Sequence, residues 1–204
     1  MIEENKMKKI WIGFLAVAAA AALLTVVSAG GMYNRLVASD EQVTSALGQV
    51  QSVYQRRLDL IPNLVETVKG SAAHEQKTLE GIVSARSKIA QMNVSSDMVN
   101  NPEALSKFQQ AQQQLSGALS RLLVVVEQYP DLKANQNFLA LQSQLEGTEN
   151  RIAVERMRFN ESARGFNTLR RSFPTNIVAN VCGFKEKAYF QADDAAAKAP
   201  AVKF

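Results

Sequence analysis

His74 and Cys182 are the only histidine and the only cysteine in the chain, and they narrow the chemistry it can carry. A zinc site with two histidines, or a di-iron site with paired Glu-x-x-His runs, needs more imidazoles than one chain supplies. His74-Glu75-Gln76-Lys77-Thr78 opens like the HExxH zinc motif, but Thr78 stands where the second histidine belongs. Adjacent helical residues also point apart, so His74 reads as a surface or capping residue. Cys182 has no partner for an internal disulfide and no histidine near it in sequence to activate its thiol; it reads as a small core residue. Neither a glycine-rich phosphate loop nor a G-x-S-x-G elbow occurs. The expectation is no catalytic, cofactor-binding or metal-binding residue, no cofactor, and no enzyme.

Charged residues remain. Arg56, Arg57 and Asp59 cluster ahead of Pro62, and Glu146, Glu149, Asn150 and Arg151 sit within a long helical pattern. Two readings stay open. These are solvated charges on an exposed face, or they form a semi-buried Arg–carboxylate network that fixes helix register or a corner. Neither suits acid–base catalysis, because the arginines hold the carboxylates ionised.

The elements that must position these groups are helices. No run alternates at period two, and glycine and proline are few. In a first segment Leu36, Val43 and Val50 recur every seven residues, with Leu47, Tyr54 and Ile61 interleaved. A second carries Val65, Val68, Ala72, Leu79, Ile82 and Ile89. A third alternates steps of three and four through Leu105, Phe108, Gln112, Leu115, Leu119, Leu122, Val126 and Tyr129. A fourth repeats Phe138, Leu145, Ile152, Phe159 and Phe166. Such spacing makes the narrow apolar seams of helices packed at small angles, so the predicted fold is all-α: an antiparallel, four-helix bundle over 32–172. Asn93 to Pro102 should link helices two and three, Tyr129-Pro130 should end helix three, and Phe173-Pro174 should end helix four. At Leu58 to Asn63, a break with reversal is favoured: Asp59 caps a new helix with Pro62 in its first turn. A kink in one long helix is the alternative.

Ahead of the bundle, Ile10 to Ala29 is a twenty-residue apolar run without charge. As a helix it spans about 30 Å, the hydrocarbon thickness of a bilayer. A cleaved signal peptide has a shorter apolar core, so a retained anchor is favoured, and no cysteine follows the run for lipidation. Lys6, Lys8 and Lys9 lie in the 1–9 flank, against Arg35 beyond the run. That bias predicts a cytoplasmic N-terminus and a periplasmic or extracellular domain, with membrane lipid as the anchor's partner. Formal net charge is +4, from 23 basic and 19 acidic residues, too balanced to suggest nucleic acid.

Several motifs are shared with one family. Tyr33-Asn34-Arg35-Leu36-Val37, the run Gln55 to Val65, Val68-Lys69-Gly70, His74-Glu75, the run Leu141 to Ile152, Phe173-Pro174, Gly183-Phe184 and Tyr189-Phe190 resemble the LemA family, in order along the chain. Phe159-Asn160 departs from the Tyr-Asn common in that family, with the loss of a phenolic hydroxyl. The resemblance implies a bacterial cytoplasmic (inner) membrane protein with one anchor and a helical-bundle domain. It also implies no established enzymatic activity and a branch associated with magnetosome membranes. Family genes often lie near those of a membrane metalloprotease and of a small TPM-domain protein, which makes these two candidate partners.

The leading functional expectation is a scaffold that self-assembles through its helical domain; a binding adaptor for a membrane protease is the alternative. Leu122 to Val126 is five consecutive apolar residues, more than one helix face can bury in a narrow bundle. Leu123, Val124 and Val125 are therefore candidate contacts of a homo-oligomer. The extension 173–204 holds Phe184, Tyr189, Phe190, Val202 and Phe204, and is expected to pack on the bundle or on a neighbouring subunit.

Overall fold

A computed structural model describes residues 2–70, 72, 74–92, 94–95 and 97–191, with side chains from Trp11 onward. The fold is all-helical. Helix α1 spans Ile2–Lys69, α2 Gln76–Ala90, α3 Pro102–Val126, α4 Pro130–Lys133, α5 Gln136–Arg171 and α6 Thr175–Val181, with a 3-10 turn at Met98–Asn100 before α3. Val202 and Phe204 lie outside the described residues.

The long helix corrects the favoured reading of Pro62. No reversal occurs there; Pro62 lies inside α1, and the turn comes after Lys69. Val65 and Val68 thus belong to α1, and Ala72 to the connection, rather than to the second helix. The physical reason lies across the fold. A proline has no N–H, so the carbonyl four residues earlier, that of Leu58, loses its helical donor. Arg86 on α2 supplies one instead, its Nε donating to Leu58 O at 3.0 Å. Pro62 itself is exposed, so its ring crowds no neighbouring helix.

The other boundaries follow local chemistry. Asn101 caps α3, its side chain accepting from the N–H groups of Glu103 and Ala104, with Pro102 in the first turn. Asn135 caps α5 likewise, accepting from Asn137 and Phe138. Helix α3 ends just before Tyr129-Pro130, and α5 just before Phe173-Pro174.

The chain divides into two compact units. The first comprises residues 1–41 and 165–186. In it the apolar run of α1 stands open on all sides, Trp11 to Val27 being 62 to 70% exposed at their large side chains. It belongs to a helix long and apolar enough to cross a membrane. A helix apolar all round has no face to offer water, so this segment suits lipid. Below it Leu36, Phe166 and Ala179 are buried, and Phe184 packs against Tyr33 at 5.9 Å and Phe166 at 6.2 Å between ring centroids. Helix α6 closes with Gly183 at φ 76°, where Phe184 N–H reaches Ala179 O and Gly183 N–H reaches Asn180 O. That paired closure needs the left-handed conformation glycine adopts without strain.

The second unit comprises residues 42–164 and 187–204. Its core is the predicted seam: Val43, Leu47, Val50, Tyr54, Ile61 and Val68 from α1, Leu79, Ile82 and Ile89 from α2, Leu105, Phe108, Leu115 and Leu122 from α3, and Phe138, Ile152 and Phe159 from α5. Tyr54 and Phe108 meet edge to face at 5.1 Å. Each such side chain contributes about 1.5–3 kcal/mol by leaving water.

Candidate functional site

The most unusual group in the second unit is Arg57. Its position in α1 continues the seven-residue series Leu36, Val43, Val50, so it points where the core is. The residue is 3% exposed. Its Nη1 pairs with Glu149 Oε2 of α5 at 3.1 Å, and its Nη2 donates to Ser116 Oγ of α3 at 2.7 Å. One guanidinium therefore ties three helices. Burial pushes its pKa below the ordinary arginine value, and the Glu149 carboxylate opposes that shift. A guanidinium does not deprotonate in a protein, so the site holds a permanent, partly desolvated cation.

The rest of the predicted charged cluster stays apart. Arg56, Asp59, Glu146, Asn150 and Arg151 are exposed. Asp59 accepts from Gln55 one turn away at 2.7 Å, and Glu146 accepts from Gln142 at 2.9 Å. Of the seven candidates, the structure brings together Arg57 and Glu149.

Around this pair lies a small cleft of about 20 Å³, lined among others by Tyr54, Gln112, Ser116 and Arg156. Gln112, a seam residue of α3, is 5% exposed, and neither its amide nitrogen nor its amide oxygen has a hydrogen-bond partner. A wider groove of about 920 Å³ opens on another side, with Leu58, Ile89 and Phe108 among its walls and Arg56 and Asp59 also lining it. Neither hollow brings together groups for bond making. Among the described residues no cluster of three His, Cys, Asp or Glu side chains is placed to hold a metal ion.

His74 is exposed in the turn between α1 and α2. Its neighbour Glu75 accepts from the Tyr129 hydroxyl at 3.0 Å, joining that turn to the end of α3; this contact raises the Tyr129 pKa. Cys182 is exposed, which corrects its reading as a core residue. As the C-terminal cap of the short α6, it stands beside exposed Val181 rather than inside a seam. On α3, Leu122 and Val126 are buried and Val125 is half-buried, while Leu123 is 38% and Val124 69% exposed.

Sequence reasoning expects the extension to pack but does not identify the groups that hold the chain after α6. Residues Lys187 to Gln191, without regular secondary structure, run across the second unit as a strap. Lys187 Nζ donates to Asn100 Oδ1 at 2.9 Å, and Ala188 N–H donates to Val99 O at 2.7 Å. The Asn160 amide then clamps the Phe190 peptide, accepting from its N–H at 2.9 Å and donating to its carbonyl at 2.8 Å. Gln109 does the same for Gln191, at 3.4 and 3.1 Å, while Arg156 also donates to the Gln191 carbonyl. Phe190 is buried with its ring 5.1 Å from Phe159, and the Arg156 guanidinium lies over it at 5.6 Å. Two buried amides in apolar seams were the available signal. Gln109 and Gln112 interrupt α3 where leucines would pack better.

Comparison with known proteins agrees with the helical, anchored architecture. A sequence model described as the LemA family matches residues 46–204. Protein LemA of Metamycoplasma hominis is 28% identical over 80% of this chain and 71% of its own length. Magnetosome protein MamQ 2 of Paramagnetospirillum magneticum is 28% identical, and magnetosome protein MamQ of Magnetospirillum gryphiswaldense 26%, each over 78% of this chain. The match spans 64% of these magnetosome relatives, somewhat under two thirds of their length. Neither the family description nor these names specifies a reaction. With an apolar helix fit for a bilayer and a family match over most of its length, the chain is a membrane-associated protein that belongs to the LemA family.

Proposed function

We propose that this protein is a single-pass scaffold of the bacterial envelope, anchored by Ile10 to Ala29 and self-assembling through its helical domain. The observation that carries the reading is Val124, 69% exposed beside the 38% exposed Leu123 on a helix whose other large apolar residues are buried or half-buried. Large apolar side chains left to water on adjacent positions favour contact with a second surface. The anchor confines copies to two dimensions and so raises their effective concentration, and repeated weak contacts between identical chains close into symmetric assemblies. Relatives named as magnetosome proteins support a role at a membrane. The domain lies outside the cytoplasm in this proposal, as the lysine bias at the N-terminus favours.

Particle size in mild detergent, together with crosslinking in native membrane, tests the proposal. The wild type is expected as an oligomer. Val124→Glu and Leu123→Glu are expected to yield folded, smaller particles, since neither side chain is fully buried. A wild type that is monomeric by both measurements overturns self-assembly. Recovery of a membrane metalloprotease or a TPM-domain protein with a monomeric chain would favour the adaptor instead.

A further inference from the structure

Helix α6 buries one face and leaves an apolar one open. Thr175 and Ala179, one turn apart, are buried within the first unit. Ile177 and Val181, also one turn apart, lie across the helix axis from them and are 55% and 83% exposed. Phe173, in the turn ahead of the helix, is 81% exposed. Phe173 and Val181 are thus more open than the anchor's own large apolar side chains. A surface helix ordinarily turns polar residues away from its core. An apolar patch in that place marks a surface that something covers.

Contacts within the first unit fix where this patch lies along α1. The last turn of α6 is tied to Phe184, whose N–H donates to Ala179 O at 3.0 Å, and the Phe184 ring packs on Tyr33 at 5.9 Å. Tyr33 follows the last residue of the apolar run, Ala29, by one helical turn, about 6 Å along the axis. A bilayer's headgroup layer extends about 5–7 Å beyond the hydrocarbon on each side. With Ile10 to Ala29 across the hydrocarbon, the end of α6 therefore stands at the level of the headgroups. Exposed Arg35, Arg171 and Lys185 belong to the same unit. Basic side chains beside an apolar patch suit an anionic lipid surface.

We infer that the outer face of α6 is a second membrane contact. Phe173, Ile177 and Val181 enter the headgroup and upper acyl region of the bilayer that α1 crosses, so the first unit is held to the membrane at two places. This contact rests on the anchor of the proposed function, since the anchor sets the level of the lipid. Cys182 lies about 100° around the axis from Val181, off the stripe, and keeps its thiol in water.

Fluorescence quenching of the full-length protein in vesicles of mixed zwitterionic and anionic phospholipid tests the contact. Trp11, the only tryptophan, lies in the anchor. In the wild type, lipids brominated in the acyl chain should quench Trp11, which checks the anchor by itself. In a Trp11→Phe background, Ile177→Trp and Val181→Trp each place an indole on the open face of α6, where the folded unit makes little use of the native side chain. Both should lose emission to lipids brominated high in the chain, less to lipids brominated near its end, and little to aqueous acrylamide. Quenching by acrylamide and not by lipid leaves the patch in water and overturns the inference. Quenching by neither marks a face covered by protein, of this chain or of a second copy, and overturns it as well. With Trp11 quenched in the wild type, either result means that the α6 contact has failed and the anchor stands. With Trp11 unquenched, the anchor reading has failed too.

Discussion

Arg57 takes a core position in α1 yet carries a charge, and its energetics depend on which partner is removed. Glu149→Gln leaves a 3% exposed guanidinium facing Ser116 and a neutral amide. Breaking a wholly buried pair costs 3–5 kcal/mol, but the Glu149 side chain is 51% exposed and water screens part of the attraction. The expected loss is about 1–2 kcal/mol. Arg57→Met removes the cation and keeps an unbranched side chain of similar reach. In the Glu149→Gln background, it should therefore recover most of that loss instead of adding to it. Urea midpoints of the two single variants and the double variant check this, and additive losses would mean that Arg57 acts by packing alone. The sequence carried half of this site. Arg57 and Glu149 are both among the seven charged and polar residues that the sequence marks as candidates, but in two separate clusters. What spacing alone does not tell is which carboxylate Arg57 meets, because the helix-to-helix register that selects Glu149 over Glu146 comes from packing the whole seam.

At the scale of elements, the hydrophobic period marks the long helices, misplaces the boundary near Pro62 and does not mark the short α4 and α6. Leu105 to Val126 and Phe138 to Phe166 packed as their spacing predicts, because steps of three and four leave one face to bury. Proline was the harder case. Its local cost is legible, but its remedy lies in Arg86, 28 residues from Leu58, which donates to the Leu58 carbonyl that Pro62 leaves unserved. No window over Leu58 to Asn63 contains that partner, so local propensity pointed to a break that tertiary structure overrode. The strap was illegible for a similar reason, since its clamps Gln109 and Asn160 belong to helices remote in sequence. The Pro62 account makes a double-mutant prediction. Arg86→Met should destabilise the wild type by about 1–2 kcal/mol, the cost of an unsatisfied buried carbonyl. In a Pro62→Ala background the restored N–H serves Leu58 O, so Arg86→Met should cost less than half as much. Equal costs in both backgrounds would show that Arg86 stabilises through something other than that carbonyl.

At the scale of the whole molecule, the open question is which side of the membrane carries the folded units. Lysines retain their charge and resist translocation, whereas acidic residues contribute little, so Lys6, Lys8 and Lys9 should hold the N-terminus in the cytoplasm. Everything from Met32 onward then faces the periplasm or the exterior. The structure supplies a native reporter of this arrangement. Cys182 is the only cysteine in the chain and is exposed, and Val181 beside it is 83% exposed, so a thiol reagent needs no unfolding to reach it. In spheroplasts, a membrane-impermeant maleimide should label Cys182 without detergent, and added protease should remove the domain. In inverted vesicles both should require detergent. The reverse pattern, protection in spheroplasts with labelling and cleavage in inverted vesicles, would place the domain in the cytoplasm. The lysine bias would then have failed against some stronger determinant. Moving Lys6, Lys8 and Lys9 to the far flank, beyond Ala29, separates these cases. Labelling that switches sides with the lysines identifies them as the determinant, since nothing in the folded units has changed.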